Sequence, residues 1–225
     1  LVSVLLHALN AVLVCLLLTR YLGGLRIPAA MGAAFFAVHP VTSESVAWVS
    51  SQGDLLALTF MLLALFAFQR PGWRSGALGS LLFVLACCAK ESALVLPALV
   101  YLQALVLRGP SAPGRPLAVG RETWIRLGVL AVLVVAYWMI RMSVVPTTRQ
   151  IPDPGGFWGT VRGMLEGMAW YAGMLIAPRG FSFDLQYEPP LSFGEPMVVL
   201  GLGVLLTLLA AGLYGLGSRR YRLAF

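Results

Sequence analysis

The sequence predicts an all-α fold: a polytopic membrane helical bundle of about seven spanning helices, with one further helix lying in the membrane interface. Three observations predict it. The 225 residues are 59% hydrophobic and only 11% charged, with a mean hydropathy of +0.85, which leaves too little polar surface to clothe a core in water. The apolar residues come in runs of about 15 to 20, separated by short charged or Pro/Gly-rich stretches. That is the length a helix needs to cross hydrocarbon, without the alternation of a barrel. Finally, eleven of the fifteen arginines fall between runs or in the tail, as Arg20/Arg26, Arg70/Arg74, Arg108/Arg115/Arg121/Arg126 and Arg219/Arg220/Arg222, the positive-inside pattern.

With these clusters on the cytoplasmic side, the spans run 1–19, 28–43, 54–69, 75–89, 92–107, 127–145 and 196–217, alternating in direction. Residues 146–195 are left as one external segment. Within it, 157–177 reads as an interfacial helix, because another span would carry Arg219 to the wrong side. Trp158, Val161, Leu165, Met168, Ala172 and Leu175 form its predicted apolar stripe, and Arg162 and Glu166 are spaced for an i,i+4 pair. Leu1–Leu18 has no basic leader or A-x-A site and reads as a span, not a signal peptide. A chain that opens on Leu1 inside an apolar run is expected to be part of a longer protein. Cys15, Cys87 and Cys88 lie in apolar runs and suit no disulfide framework. The net charge of +7 is read as orientation and anionic-lipid contact rather than nucleic-acid binding.

This path sorts the acids. Glu44, Asp54, Glu91, Asp153, Glu166, Asp184, Glu188 and Glu195 fall on the external face, leaving Glu122 inside. Acids contribute little to topology rules, so the asymmetry is independent information and marks the face for chemistry. In FFAVHPVTSESVAWVSSQGDLLAL (35–58), Pro40 ends a helix, Asp54 is placed to cap the next, and His39 and Glu44 are not needed to turn the chain. In CCAKESALVLPALV (87–100), Lys90, the chain's single lysine, stands beside Glu91. Either Lys90 snorkels and pairs with Glu91, or it offers a compact cation to a phosphate. Arg141 sits near the outward end of its predicted span, where it needs an external acid or an anionic ligand. Asp184 and Tyr187, in APRGFSFDLQYEPPLS (177–192), belong to an aromatic loop that reads either as a connector or as a sugar or peptide grip.

Taken in order, VSVLLHALNAVLV, FFAVHPVTSESVAWVSSQGDLLAL, CCAKESALVLPALV and YAGMLIAPRGFSFDLQY resemble the membrane part of GT-C glycosyltransferases. The branch they are most similar to is the transmembrane and tetratricopeptide O-mannosyltransferase family with its bacterial relatives. The resemblance implies transfer of a sugar, with inversion, from a polyprenyl-phosphate carrier to a protein hydroxyl or glycan acceptor at the periplasmic or lumenal face. It also implies that the family's first helix and first external loop, with the principal base, precede residue 1. Glu44 and His39 become the catalytic candidates within the chain. Lys90, Glu91, Arg141, Asp54, Asp184 and Tyr187 become substrate-binding residues, and 146–195 the family's external loop. The sequence departs from many relatives at Gln52 and Gly53, where they carry a basic residue before the aspartate.

The expected protein is thus a multi-pass enzyme of a bacterial inner membrane or the ER membrane, acting with membrane lipids and a lipid-linked sugar. No metal site is predicted, since His39 and Glu44 alone do not close one; a divalent cation is the one cofactor left open. Two other classes fit the composition. A lipid-linked substrate transporter or flippase would show a broken helix or an inverted repeat, and a noncatalytic membrane scaffold would lose assembly, not glycosylation, when Glu44, Lys90 or Arg141 is replaced.

Overall fold

The computed structural model describes residues 1–107, 119–144, 156–178 and 190–217, and every regular element among them is helical. The chain divides into two compact units, Leu1–Val145 and Pro146–Ala224. The first holds α1 (Val2–Tyr21), α2 (Arg26–Val38), α3 (Ser43–Ala47), α4 (Gln52–Phe68), α5 (Trp73–Ala89), α6 (Leu96–Val106) and α7 (Arg121–Val144). Single 3-10 turns at Pro40–Thr42, Val49–Ser51 and Glu91–Val95 join some of them.

The breaks have local causes. Gly23 (φ 61°) and Gly24 (φ 96°) take left-handed backbone after α1, and Gly72 (φ 98°) does so before α5, a conformation only glycine adopts cheaply. The second helix, expected to reach residue 43, stops at Val38, because Pro40 cannot continue its ladder and pushes His39 to an extended ψ of 130°. The fifth starts as a 3-10 turn, with Pro97 in the first turn of the α-helix that follows. The sixth begins six residues earlier than expected, at Arg121.

Contacts along the bundle fix its directions. Ser3 meets Gln52, Asn10 meets Thr59 and Arg20 meets Gln69, so α1 and α4 run the same way. His7 reaches the Ala37 carbonyl while a Cβ on Gly32 would sit 2.9 Å from Leu18, so α2 runs against α1. Gln103 of α6 donates to the Leu65 carbonyl, and Tyr101 faces Trp124 of α7. The six long helices therefore alternate, as the sequence predicted, and share two common ends.

Between those ends lies a core of Leu13, Leu17, Leu62, Leu65, Phe83, Leu96, Val100 and Leu130. Small residues bring the backbones close: Ala29, Ala64, Ala86 and Ala93 are fully buried, and a Cβ on Gly79 would meet the Phe68 ring at 2.7 Å, the packing style of helices in lipid. The outer faces stay apolar, with Leu5, Leu81, Val132, Trp138 and Met139 exposed.

Among the described residues, two helices are apolar enough by length and composition to cross a membrane, α1 and α7, and a third span is formed if Pro40–Ala47 and Gln52–Phe68, bent by 112°, are taken together. Arg26–Val38, Trp73–Ala89, Glu91–Val106 and Pro196–Ala211 are apolar but shorter. The count is lower than seven because Pro40 stops the second helix early and the helices on either side of the extended Lys90 are each shorter than a full span.

In the second unit, α8 (Gly156–Ile176) lies against α9 (Pro196–Gly217). The backbones touch at one point: a Cβ on Gly201 would fall on the Leu165 carbonyl. Ahead of it, Trp158 and Arg162 contact Phe193, so the two helices advance in the same sense. The buried face of α8 is Gly159, Leu165, Ala169 and Met174. Of the predicted stripe only Leu165 belongs to it; Trp158 and Leu175 are exposed. No Arg162–Glu166 pair forms either, since Arg162 donates to the Pro190 carbonyl instead. α8 is not among the helices apolar enough to span.

Candidate functional site

One end of the first unit gathers the starts of α1 and α4 and the ends of α2, α5 and α7. At this end two ion pairs cross between elements. The Lys90 ammonium lies 2.6 Å from the Asp54 carboxylate, and the Arg141 guanidinium lies 2.6 Å from Glu91. Four of the predicted site residues, far apart in sequence, are thus brought together through the Lys90–Glu91 dipeptide.

The local sequence explains the geometry. Lys90 ends α5 with φ −160° and ψ 142°, an extended residue that turns its side chain away from its neighbour's. Gly53 lies so close to α5 that a Cβ there would stand 2.9 Å from the Ala89 carbonyl. This contact carries the first turn of α4, and Asp54 with it, alongside Lys90. Asp54 therefore does not cap its helix as one sequence reading had it, and the α4 N-cap, Ser51, makes no side-chain cap bond. Asp54 still benefits from the positive end of the α4 dipole. Lys90 pairs with Asp54 and not with the adjacent Glu91, which leaves Glu91 for Arg141, one of the two kinds of partner the sequence left open for that arginine.

Both pairs are partly open, with side-chain exposures of 46% and 32% for Lys90 and Asp54, and 35% and 56% for Arg141 and Glu91. Pairs this exposed contribute about 0–1 kcal/mol to stability, so the fold does not depend on them. Arg141 has a second environment. It borders a cleft of about 410 Å³ between α5 and α7 whose other walls are Phe83, Val84, Cys87, Cys88, Leu133, Ala136, Tyr137, Ile140 and Val144. The volume lies in the range of small-molecule sites, and Arg141 is the only charged residue of that lining.

His39 and Glu44 occupy the α2–α4 connection at the same end. His39 is 6% exposed; its Nδ1 accepts from the Val41 N–H at 3.2 Å and its ring leans on Phe35, so it shapes the turn. Glu44, in α3, is exposed and makes no side-chain bond to the four paired residues or to any other described residue. Asp184 and Tyr187 lie outside the described residues. Among the described residues no group of three or more His, Cys, Asp or Glu side chains could hold a metal ion.

Three interior residues escaped sequence reasoning. Asn10, fully buried, donates to the Leu55 carbonyl and accepts from Thr59 at 2.8 Å. Gln103, 5% exposed, accepts from Tyr21 at 2.7 Å and from Gln69 at 3.2 Å. His7 holds the Ala37 carbonyl at 3.0 Å. The signal for each was a lone polar residue inside an apolar run, where a buried polar group must find a partner on another helix.

Compared with protein families, with curated proteins and with solved structures, the chain matches none.

Proposed function

We propose that the chain forms part of a multi-pass membrane glycosyltransferase of the GT-C type, whose polar end receives a polyprenyl-phosphate sugar and an acceptor hydroxyl on the periplasmic or lumenal side. In that reaction the acceptor oxygen attacks the anomeric carbon, and the bond from that carbon to the phosphate oxygen breaks. The phosphate leaves with the electron pair, and a carboxylate takes the hydroxyl proton. Lys90 and Arg141 support the departing phosphate. Glu44, an exposed acid at this end whose side chain bonds no other described residue, binds the acceptor.

One observation carries the reading: two cations paired with partly exposed carboxylates at the end of an apolar bundle, one of them, Arg141, bordering an apolar cleft. Charge beside an apolar cleft is a candidate for function, and an anion attached to a hydrocarbon chain fits both halves of the arrangement.

The test is transfer of radiolabelled sugar from polyprenyl phosphate by the full-length protein in native membranes. Glu44→Gln and Lys90→Ala are expected to abolish transfer at unchanged protein levels; undiminished turnover in both removes them from the site.

The 112° break between Pro40–Ala47 and Gln52–Phe68 favours a second reading, a lipid-linked substrate transporter, because broken helices serve transport sites. Those sites lie near the bilayer midplane, whereas this break falls at the end of the bundle that holds Asp54. Translocation of a labelled lipid in proteoliposomes without any transfer decides for the second reading.

A further inference from the structure

We propose that the pocket between α4, α6 and α7, at the arginine-rich end of the first unit, is a site for the phosphate of an anionic phospholipid of the surrounding membrane. This end lies opposite Lys90 and Arg141, and the inference does not rest on the transferase reading.

Charge gives the first argument. Arg20, Arg26, Arg70, Arg74, Arg121 and Arg126 gather at this end with one acid, Glu122. Among the described residues, Glu122 pairs with Arg126 at 2.6 Å, and no carboxylate pairs with the other five arginines. Orienting a chain in a bilayer requires basic residues but no cavity. Here a pocket of about 270 Å³ opens among them, with Gln69, Arg70, Gln103, Glu122, Thr123 and Arg126 in its lining.

The hydrogen bonds already made select the chemistry of the ligand. Gln103 is committed to the Leu65 carbonyl, to Tyr21 and to Gln69. Glu122, the one acid of the lining, is committed to Arg126 and to the Gly72 N–H. Three donors remain. Gln69 keeps one amide proton after its bond to Gln103, and neither the Arg70 guanidinium nor the Thr123 hydroxyl bonds another described residue. Donors under an excess of positive charge suit an oxyanion, and phosphate has acceptor oxygens for all three. Arg126 sets the geometry from behind, because it takes the Arg70 carbonyl at 2.6 Å and so holds the backbone that carries the Arg70 side chain.

The rest of the pocket favours a lipid over a free anion. Phe68, Val100, Ala104 and Leu107 complete its walls, an apolar side that a free phosphate would leave unfilled. Trp73 and Trp124 stand exposed at the same end, and exposed tryptophans of a membrane bundle sit at headgroup level. Basic pockets between helices on the positive side of a membrane protein match anionic headgroups.

The test separates a built site from the general pull of a basic surface. Native mass spectrometry of the full-length protein in a neutral detergent should show one dioleoyl phosphatidylglycerol retained under conditions that strip dioleoyl phosphatidylcholine. Arg70→Met should weaken retention about fivefold or more, and Thr123→Val about twofold or more. Ala104→Phe should prevent it by filling the pocket, with thermal unfolding confirming that each variant is folded. Arg26→Met removes the same charge from the same end but lies outside the lining, and should leave retention unchanged. Equal weakening by Arg26→Met and Arg70→Met overturns the proposal in favour of diffuse surface charge, and so does indifference to Ala104→Phe. Equal retention of phosphatidylcholine removes the phosphate's anionic lipid as the ligand, and displacement of the lipid by an equal concentration of inorganic phosphate replaces it with a free anion.

Discussion

The two ends of the Leu1–Val145 unit are both polar and both cross-linked, yet they are built from different bonds. At one end the links are carboxylate to cation, partly exposed, and replaceable. At the other, Arg126 is only 11% exposed and donates to the Phe68 carbonyl, to the Arg70 carbonyl at 2.6 Å, to Ser75 at 3.2 Å and to Glu122 at 2.6 Å. Glu122 in turn accepts from the Gly72 N–H at 2.8 Å, and Gln69 joins Arg20 to the Gln103 network. There a cation serves backbone carbonyls that helix termini leave orphaned, and no ligand can take its place without undoing the α4–α5 turn. The lesson is that charge at a helix end holds the fold when its partner is backbone, and is free for ligands when its partner is another side chain.

Substitutions at the two ends sharpen the contrast. The largest effect is expected for Arg126→Met, which strips several carbonyls at once. Thermal unfolding in detergent should show a loss of at least about 1.5–3 kcal/mol, the scale of a single hydrogen bond to a charged group. Gln103→Leu comes next, at about 0.5–1.5 kcal/mol for each bond lost, because Tyr21 and Gln69 lose their acceptor. The smallest effect is expected for Lys90→Met or Glu91→Gln, about 0–1 kcal/mol, alongside a large loss of transfer for Lys90→Met. Equal destabilisation at both ends would erase the distinction drawn here. Gly53→Val tests the same end geometrically: a side chain against the Ala89 carbonyl should move Asp54 off Lys90, seen as loss of a disulfide cross-link between Asp54→Cys and Lys90→Cys.

Most of the first unit was readable in the sequence. Apolar run length and arginine placement yielded the helices and their alternation, since both are set by one-dimensional patterning. What one dimension did not reveal was partner choice. Lys90 and Glu91 are adjacent in sequence and look paired, but an extended residue sends the two side chains to different helices. The α8 stripe failed for a related reason: hydrophobicity marks a lipid face as strongly as a helix contact, and the buried face combines Leu165 and Met174 with the small residues Gly159 and Ala169. Asn10 and Gln103 were visible as interruptions, but their meaning needed the neighbour.

The grip of Arg126 on the α4–α5 turn has a temporal side. It reaches back across 58 positions to Phe68, 56 to Arg70 and 54 to Gly72. A ribosome delivers α4 and α5 well before α7, so during synthesis the hairpin stands with its carbonyls unclaimed. The arrival of α7 is then the event that closes the α4–α5 turn.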